Sequence, residues 1–301
     1  MLELKNEKVA IPVVLFAGLI WSFGPLVVRY MNDPHLVPWQ YIFGRGLTIF
    51  VVLNLYLFFE EGKNFYKNYY KIGYSGVIGG TGLGIAMISF IYSITNTSAA
   101  VTLLCLAAMP FFTALLGFLF LRERISINVW IAIFIATVGI VIIALGNTAK
   151  ASLVGLVFGI TSSIGFSVFS VSLRWRKETP KFTTVAFAGF FCFTLATIFI
   201  LSGDQPFFST SYNGTLFSLH GVLVCMGLIL YSIGSKAIPA AELTLLSLTE
   251  VIGGIFWVWL PWFGINEIPT TNTIIGGFFL FISITYYSLI MRTNRRFIGL
   301  N

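Results

Sequence analysis

The stretch that decides the fold is LLSLTEVIGGIFW, residues 245–257, where Glu250 stands alone among mostly apolar side chains. The apolar run around it extends over residues 240–263, and about 20 such residues are enough to cross a bilayer. A charge at the centre of a membrane costs about 3 kcal/mol even on the lenient insertion scale. The sequence therefore predicts that Glu250 faces a partner or a wet cavity rather than lipid.

The composition of the whole chain also indicates a membrane environment. Of the 301 residues, 57% are hydrophobic and only 10% are charged, and the mean hydropathy is +0.91. Soluble domains carry about 25% charged residues. These values predict an all-α integral membrane protein. The net charge of +7 comes from loop residues, so it does not indicate a nucleic-acid partner.

Ten apolar segments are long enough to be transmembrane helices. The breaks between them carry loop chemistry, such as NDP at 32–34, EEGKN at 60–64 and RWRKETPK at 174–181. The predicted spans cover residues 10–30, 37–59, 72–93, 97–121, 127–146, 153–173, 182–201, 216–235, 240–263 and 272–291.

The basic residues predict the orientation of these spans. If the N-terminus is inside, 15 of the 18 Lys and Arg residues fall in inside segments, and Lys150 alone falls in an outside loop. Positive charge favours the cytoplasmic side. The expected topology is multi-pass with both termini in the cytoplasm. Short loops and basic composition fit a bacterial inner membrane.

An internal repeat divides the chain in two. At a shift of 141 residues, WSFG at 21–24 lies over SSIG at 162–165, and with three residues inserted Glu123 lies over Glu267. Five spans per half is an odd number, so the halves would enter the membrane in opposite orientations. Inverted repeats of this kind are typical of secondary transporters.

Two tracts resemble a known family: SAAVTLLCLAAMPFFTALLGFLFLRERISINVWIAIFIATVGIVIIA (98–144) and PAAELTLLSLTEVIGGIFWVWLPWFGINEIPTTNTIIGGFFLFISI (239–284). They look like the two EamA repeats of the drug/metabolite transporter superfamily. The resemblance covers essentially the whole chain and implies two repeats, 1–149 and 150–301. It also implies a central cavity lined by spans 1, 3, 4, 6, 8 and 9, with spans 5 and 10 behind. The family pattern has Glu-Pro where this chain has Glu250-Val251, which predicts a less kinked span 9.

Glu250 is open to three interpretations at this point. It binds a cationic group of the substrate, it takes up a proton, or it is the structural hydrogen-bond partner of a buried donor. The other mid-membrane charge is Arg45, between Gly44 and Gly46 in the second span. We interpret Arg45 as structural, donating to helix-end carbonyls or to Glu250 itself.

Aromatic and hydroxyl side chains near the expected depth of Glu250 complete the candidate site. Aromatic faces beside one carboxylate suit an ammonium group, whereas rows of small polar residues are equally expected from helix packing alone. Pro25 is a candidate hinge because it frees a backbone carbonyl. The candidate substrate-binding residues are Glu250, Trp21, Ser22, Ser247, Tyr92, Ser163 and Trp257.

These features predict a secondary transporter of a small polar, amine-bearing metabolite: an amino acid, a choline-like quaternary ammonium or a polyamine. The expected mechanism is alternating access. The alternative is a broad-specificity exporter of hydrophobic cations. A coupling proton and a homodimer are left open, as is the direction of transport. The expected partners are the substrate and the lipid bilayer.

The sequence lacks the motifs that other functional classes, such as ATP-driven transporters and intramembrane enzymes, require. No Walker motif is present, so ATP is not the direct energy source. An intramembrane enzyme needs convergent catalytic groups, but Asp33 and Asp204 lie in outer loops, and His35 and His220 lie near predicted loop ends. No cofactor or metal is expected. The cysteines form no metal-ligand spacing and are interpreted as buried thiols: Cys105, Cys192 and Cys225.

Overall fold

The computed structural model describes residues 6–123, 125–147, 152–176, 178–203, 206–207 and 210–297. Fourteen α-helices lie within this part of the chain, with short 3₁₀ turns at Gly62–Asn64 and Pro261–Phe263 and a π-helical turn at Gly117–Leu121. The helices are α1 Glu7–Trp21, α2 Gly24–Tyr30, α3 Pro38–Glu61, α4 Lys67–Lys71, α5 Gly73–Asn96, α6 Ala99–Leu106, α7 Met109–Leu116, α8 Ile127–Asn147, α9 Leu153–Trp175, α10 Lys181–Ser202, α11 Ser211–Gly234, α12 Ala240–Leu246, α13 Thr249–Trp259 and α14 Thr271–Phe297.

The helices coincide with the predicted spans. Within the described residues, nine segments are long and apolar enough to cross a membrane, and α8 contributes the shorter apolar stretch Ile127–Ile142 at the place of the fifth span. The chain is an all-α, multi-pass membrane protein. Lys5, Arg124, Lys150 and Lys177, which entered the charge count, lie outside the described residues, and the cytoplasmic position of the termini stays a prediction.

Three spans are interrupted near their middles. The first breaks at 22–23 between α1 and α2, the fourth at 107–108 between α6 and α7, and the ninth at 247–248 between α12 and α13. Proline follows the first two breaks closely, at Pro25 and Pro110. Proline has no N–H and cannot continue the helical hydrogen bonds, so these two breaks follow from the sequence.

The break in the ninth span corrects the expectation of a straighter helix, because it forms although no proline follows Glu250. Local hydroxyl groups satisfy backbone carbonyls there: Ser247 Oγ donates to Thr244 O (2.9 Å), and Thr249 Oγ1 donates to Leu246 O (3.2 Å). The Glu250 N–H turns to Ser247 O at 2.9 Å, a bond three residues back. Short Ser and Thr side chains that compete for the backbone favour such an interruption.

Helix contacts occur in matched sets. Helix α5 packs along α9, and α1 packs along α11; α3 packs against α11, and α5 packs against α10. Each of these two contacts of the first half has a counterpart in which both spans are shifted by five, and α8 packs on α14 in the same sense. Two equivalent halves would produce this pattern. The inverted repeat stays a prediction, and its proposed boundary at residues 149/150 lies outside the described residues.

Two ion pairs occupy equivalent places in the two halves. Arg29, in the last turn of α2, lies 2.6 Å from Glu267, and Arg174, in the last turn of α9, lies 2.6 Å from Glu123. Because the spans alternate in direction, one pair lies at each end of the bundle.

Each arginine of these pairs also binds two backbone carbonyls. Arg29 donates to Ile94 O (3.4 Å) and Thr97 O (3.3 Å). Arg174 donates to Ser235 O (3.1 Å) and Ile238 O (2.9 Å). These acceptors are related by the 141-residue shift and lie in the same half as their arginine. The glutamate of each pair lies in the other half, so each arginine joins the two halves in an equivalent way.

A first prediction concerns the contact between α5 and α9. A Cβ added to Gly165 would lie 2.6 Å from Gly82 O and 3.0 Å from Ala86 N, both backbone atoms that cannot turn away. We expect Gly165→Ala to cost about 1–3 kcal/mol by overpacking and to lower the Tm in detergent by several degrees. Gly277→Ala is the matched control, because nothing lies within 4 Å of its added Cβ. An equal Tm change in both variants would contradict the close contact.

Candidate functional site

A buried cavity lies at the centre of the bundle, between the two halves of the chain. Its volume is about 70 Å³, room for roughly five water molecules. Its walls come from spans 1, 2, 3, 4, 6, 8 and 9, and none of its lining residues belongs to α8 or α14. The lining residues are Trp21, Arg45, Leu83, Ala86, Met87, Phe90, Leu106, Met109, Ser162, Phe166, His220, Val224, Leu228 and Glu250.

Glu250 lies on this wall in the first turn of α13. Its position follows from the break in the ninth span, which places a helix N-terminus in the middle of the bundle. The N-terminal end of a helix carries unpaired N–H groups and a partial positive charge that favour an anion. The structure describes no hydrogen-bond or ion-pair partner for the carboxylate. It is therefore available to a ligand in the cavity.

Arg45 lies on the same wall, in the middle of α3, and is only 3% exposed. Its Nη2 donates to Met87 O at 2.8 Å, and its guanidinium carbon lies 5.8 Å from the centre of the Phe90 ring. The expected bond to a backbone carbonyl is present. In the described chain Arg45 and Glu250 form no ion pair, so the cavity holds one group of each charge.

His220 is a site residue that the sequence analysis missed. Predicted to lie near a loop end, it is instead buried on the cavity wall, in the tenth position of α11. One ring nitrogen, Nδ1, hydrogen-bonds the Tyr41 hydroxyl. The other, Nε2, would lie 2.7 Å from a Cβ added to Gly24, so the ring packs against the break in the first span. The correction arises because α11 begins at Ser211, five residues before the apolar run that marked the span.

Aromatic side chains form much of the remaining wall. Trp21 Nε1 donates to Val224 O at 3.2 Å, which fixes the indole between the first and eighth spans. Phe166 meets Trp21 edge to face, with ring centres 5.6 Å apart. Phe90 lies under Arg45 on the opposite side. An apolar wall of this kind has a lower dielectric constant than water, which strengthens any charge interaction inside the cavity.

Ser22 and Trp257 meet each other instead of lining the cavity. Trp257 Nε1 donates to Ser22 Oγ at 2.8 Å, and Ser22 Oγ donates to Leu19 O at 2.6 Å. Trp257 also stacks on Phe23, with ring centres 4.7 Å apart. These contacts join the break in the first span to α13. Pro25, buried in α2, lies directly after that break.

Three further candidates lie off the cavity wall. Ser163 donates to Cys105 O at 2.5 Å, next to the break in the fourth span, and Ser247 donates within its own helix. Tyr92 stacks on Phe158, with ring centres 5.0 Å apart. Ser163 and Ser247 thus satisfy backbone carbonyls beside helix breaks. Of the seven candidates for substrate binding, the structure brings Trp21 and Glu250 together on the cavity, with Arg45 beside them.

The site has no arrangement for a bound metal. Within the residues that the structure describes, no three His, Cys, Asp or Glu side chains cluster in a way that could hold an ion. The three cysteines are buried and unpaired. The polar groups of the cavity are suited to binding charged groups of a small organic molecule.

Comparison with known proteins identifies relatives among transporters. Residues 8–145 match the EamA-like transporter family. An uncharacterized transporter of Helicobacter pylori strain J99 is 27% identical over 259 residues, which cover 82% of this chain and 84% of that protein. The pseudopaline exporter CntI of Pseudomonas aeruginosa is 25% identical over 211 residues, 69% of this chain and 71% of that protein.

A solved crystal structure has the same architecture. It aligns over 96% of this chain and 99% of its own, with a TM-score of 0.73 and 16% sequence identity. A likeness at this level of identity shows the fold alone.

Proposed function

We propose that this chain, whose residues 8–145 match the EamA-like transporter family, moves a small amine-bearing metabolite across a bacterial inner membrane by alternating access. The family and the relatives that it matches are transporters, not enzymes. The observation that supports the substrate class is the half-buried Glu250 carboxylate, which lies on the central cavity without a hydrogen-bond or ion-pair partner among the described residues. A charge that is partly removed from water is unfavourable without a partner, and a ligand of opposite charge relieves it.

Arg45 narrows the substrate class within this proposal. A polyamine or a quaternary ammonium carries only positive charge, and the guanidinium on the same wall would repel it. An amino acid carries an ammonium and a carboxylate, and the cavity offers one group complementary to each. A guanidinium is well suited to binding carboxylates because its N–H groups form a planar fork. Of the three substrate classes, an amino acid or an amino-acid-like zwitterion fits best.

The aromatic wall supports the same assignment. Trp21 and Phe166 lie on the cavity, and aromatic faces attract ammonium groups that have lost their water. The volume of about 70 Å³ is smaller than the pockets of about 300–1,000 Å³ that surround typical small-molecule ligands. In this proposal the helices around the cavity therefore move apart when substrate enters.

Alternating access is supported by the two ion pairs at opposite ends of the bundle. Arg29–Glu267 and Arg174–Glu123 are both formed in the structure. If each pair closes its own end, substrate enters when one pair opens and leaves when the other opens. Equivalent halves that exchange conformations are a common means of such alternation.

The second candidate is a broad exporter of hydrophobic cations. It is favoured by the apolar character of most of the wall, which includes Leu83, Phe90 and Leu228. One relative is named as an exporter, which supports outward transport in either proposal. The two candidates differ in the role of Arg45, which a zwitterion needs and a hydrophobic cation does not.

A thermal-shift screen on purified wild type and Arg45→Gln tests the proposal. A ligand raises the Tm by mass action. We expect amino acids to stabilise the wild type and to lose about ten-fold or more in affinity in the variant, since a charge-assisted hydrogen bond contributes about 1.5–3 kcal/mol. Choline-like cations should bind the variant at least as well as the wild type.

Arg176→Gln is the matched control, because Arg176 is exposed at the end of α9 and does not line the cavity. Stabilisation by many unrelated hydrophobic cations, unaffected by Arg45→Gln, would favour the second candidate. Stabilisation by anions or neutral sugars alone would refute both.

A further inference from the structure

A second cavity lies away from the central one, between the ends of α3, α10 and α11. Its volume is about 310 Å³, and none of its lining residues also lines the central cavity. It is found at the end of the bundle that carries Lys71, Lys236 and the Arg174–Glu123 pair. This cavity is distinct from the one proposed to bind the transported substrate, and it lies next to the ion pair at its own end, because Ser235 accepts hydrogen bonds from both Arg174 and Lys181.

Lys181 is the unusual residue of this cavity. It stands at the first position of α10 and is only 6% exposed. Its ammonium donates to Ser235 Oγ at 2.5 Å, and Ser235 Oγ donates in turn to Ser232 O. Among the described residues it has no carboxylate partner. An ammonium has three N–H donors, and burying it beside a neutral hydroxyl leaves its charge uncompensated.

Two hydroxyl groups in the same wall also lack partners. Thr183 Oγ1 and Ser232 Oγ are buried without a hydrogen bond in the described structure, and both residues line the cavity. Buried polar groups are nearly always hydrogen-bonded, so such exceptions call for an explanation. Their oxygen atoms are enclosed by protein, so they show an incompletely satisfied wall and are not direct contacts for a ligand in the cavity.

The charge balance of the wall agrees with an anionic ligand. Three lysines line the cavity against two glutamates, Glu61 and Glu178. Both glutamates are exposed, and Glu61 accepts a hydrogen bond from Asn68 Nδ2 at 2.6 Å. The carboxylates therefore face water, whereas the buried charge of the wall is positive.

From this geometry we propose that the cavity beside Lys181 binds an anionic phosphate group. A phosphate carries negative charge and several acceptor oxygens, which suit the buried ammonium of Lys181 beside Lys71 and Lys236 on the same wall. The cavity lies where three spans end, the depth at which lipid headgroups are found. Basic pockets between transmembrane helices bind anionic headgroups in this way. The same chemistry would accept a free phosphate.

Native mass spectrometry of the purified full chain tests the proposal. The wild type is loaded with phosphatidylglycerol or with phosphatidylcholine, which has no net charge. We expect preferential retention of phosphatidylglycerol, and a loss of about ten-fold in Lys181→Gln, in line with a charge-assisted hydrogen bond. Lys63→Gln is the control, because it removes an exposed lysine at the same end that does not line the cavity.

A second variant keeps the proposal testable if Lys181→Gln fails to fold. Lys71→Gln combined with Lys236→Gln removes two exposed lysines of the cavity wall, so folding should persist, and retention should fall several-fold. Equal retention of both lipids by the wild type would overturn the proposal. So would retention of phosphatidylglycerol that is the same in the double variant, or in a folded Lys181→Gln, as in Lys63→Gln.

Inorganic phosphate distinguishes the two sources of the group. If it raises the Tm of the wild type but not of Lys181→Gln and displaces phosphatidylglycerol, the site accepts free phosphate. If it does neither while phosphatidylglycerol is retained through Lys181, the site is specific for lipid. Both results support the phosphate site and assign its ligand.

Discussion

Transport by Glu250→Gln is expected to fall by about ten-fold to a hundred-fold, because the variant loses a charge-assisted interaction of about 1.5–3 kcal/mol with the substrate ammonium. Glutamine keeps the size of the side chain and can lie in the first turn of α13. The Tm without ligand should therefore stay near the wild-type value, since the half-buried carboxylate makes no hydrogen bond or ion pair in the described structure. The measurement is uptake of labelled amino acids in proteoliposomes, alongside ligand-dependent Tm shifts.

Glu242→Gln is the matched control for this experiment. Glu242 lies in the first turn of α12, in the same span, and accepts a hydrogen bond from the Tyr287 hydroxyl away from the cavity. The control makes the same chemical change, and both glutamates lie in the first turn of their helices, α12 and α13. Unchanged transport and unchanged ligand affinity in Glu250→Gln would refute substrate binding by Glu250. Loss of proton coupling with unchanged affinity would assign the carboxylate to a proton instead.

Opposite effects on cavity access are expected from Arg29→Gln and Arg174→Gln. Each change removes one ion pair and two hydrogen bonds to carbonyls at one end of the bundle. Partly exposed ion pairs contribute about 0–1 kcal/mol, and the carbonyl bonds add to this. A change of about 1.4 kcal/mol shifts a two-state population ten-fold. Arg174→Gln should have the larger effect, since its carbonyl bonds are shorter.

A cysteine on the cavity wall can report this shift. Ser162→Cys changes little in size and lies on the central cavity, and Cys105, Cys192 and Cys225 are replaced in the background. Membrane-impermeant thiol reagents are applied from either side of oriented vesicles. Each arginine variant should increase labelling from its own side and decrease it from the other, whereas Lys63→Gln should change neither. An equal increase from both sides would contradict alternation by these pairs.

Two residues of the candidate site were predicted from the sequence because their charged side chains are unfavourable in lipid. Glu250 and Arg45 stood out because a charge in an apolar span needs an explanation, and both lie on the cavity. Ser163 and Ser247 did not reach it, because a hydroxyl in a helix is satisfied equally well by a backbone carbonyl. The spacing of serines along a helix does not distinguish substrate binding from bonding to the backbone. His220 was missed because the first residues of α11 are polar, so the predicted span began five residues after the helix does.

The amino-acid sequence by itself determined that the chain lies in a membrane and where most of its apolar spans begin and end, since apolar length is a local property of the chain. It also marked Pro25 as a candidate hinge, because proline removes a hydrogen bond wherever it stands. The third break, at Ser247, and the meeting of Glu250, Arg45 and His220 on one wall were decided by tertiary structure. These side chains come from α13, α3 and α11, and only packing between distant helices sets which faces meet. The same packing buries Lys181 and unites the two arginines with their glutamates.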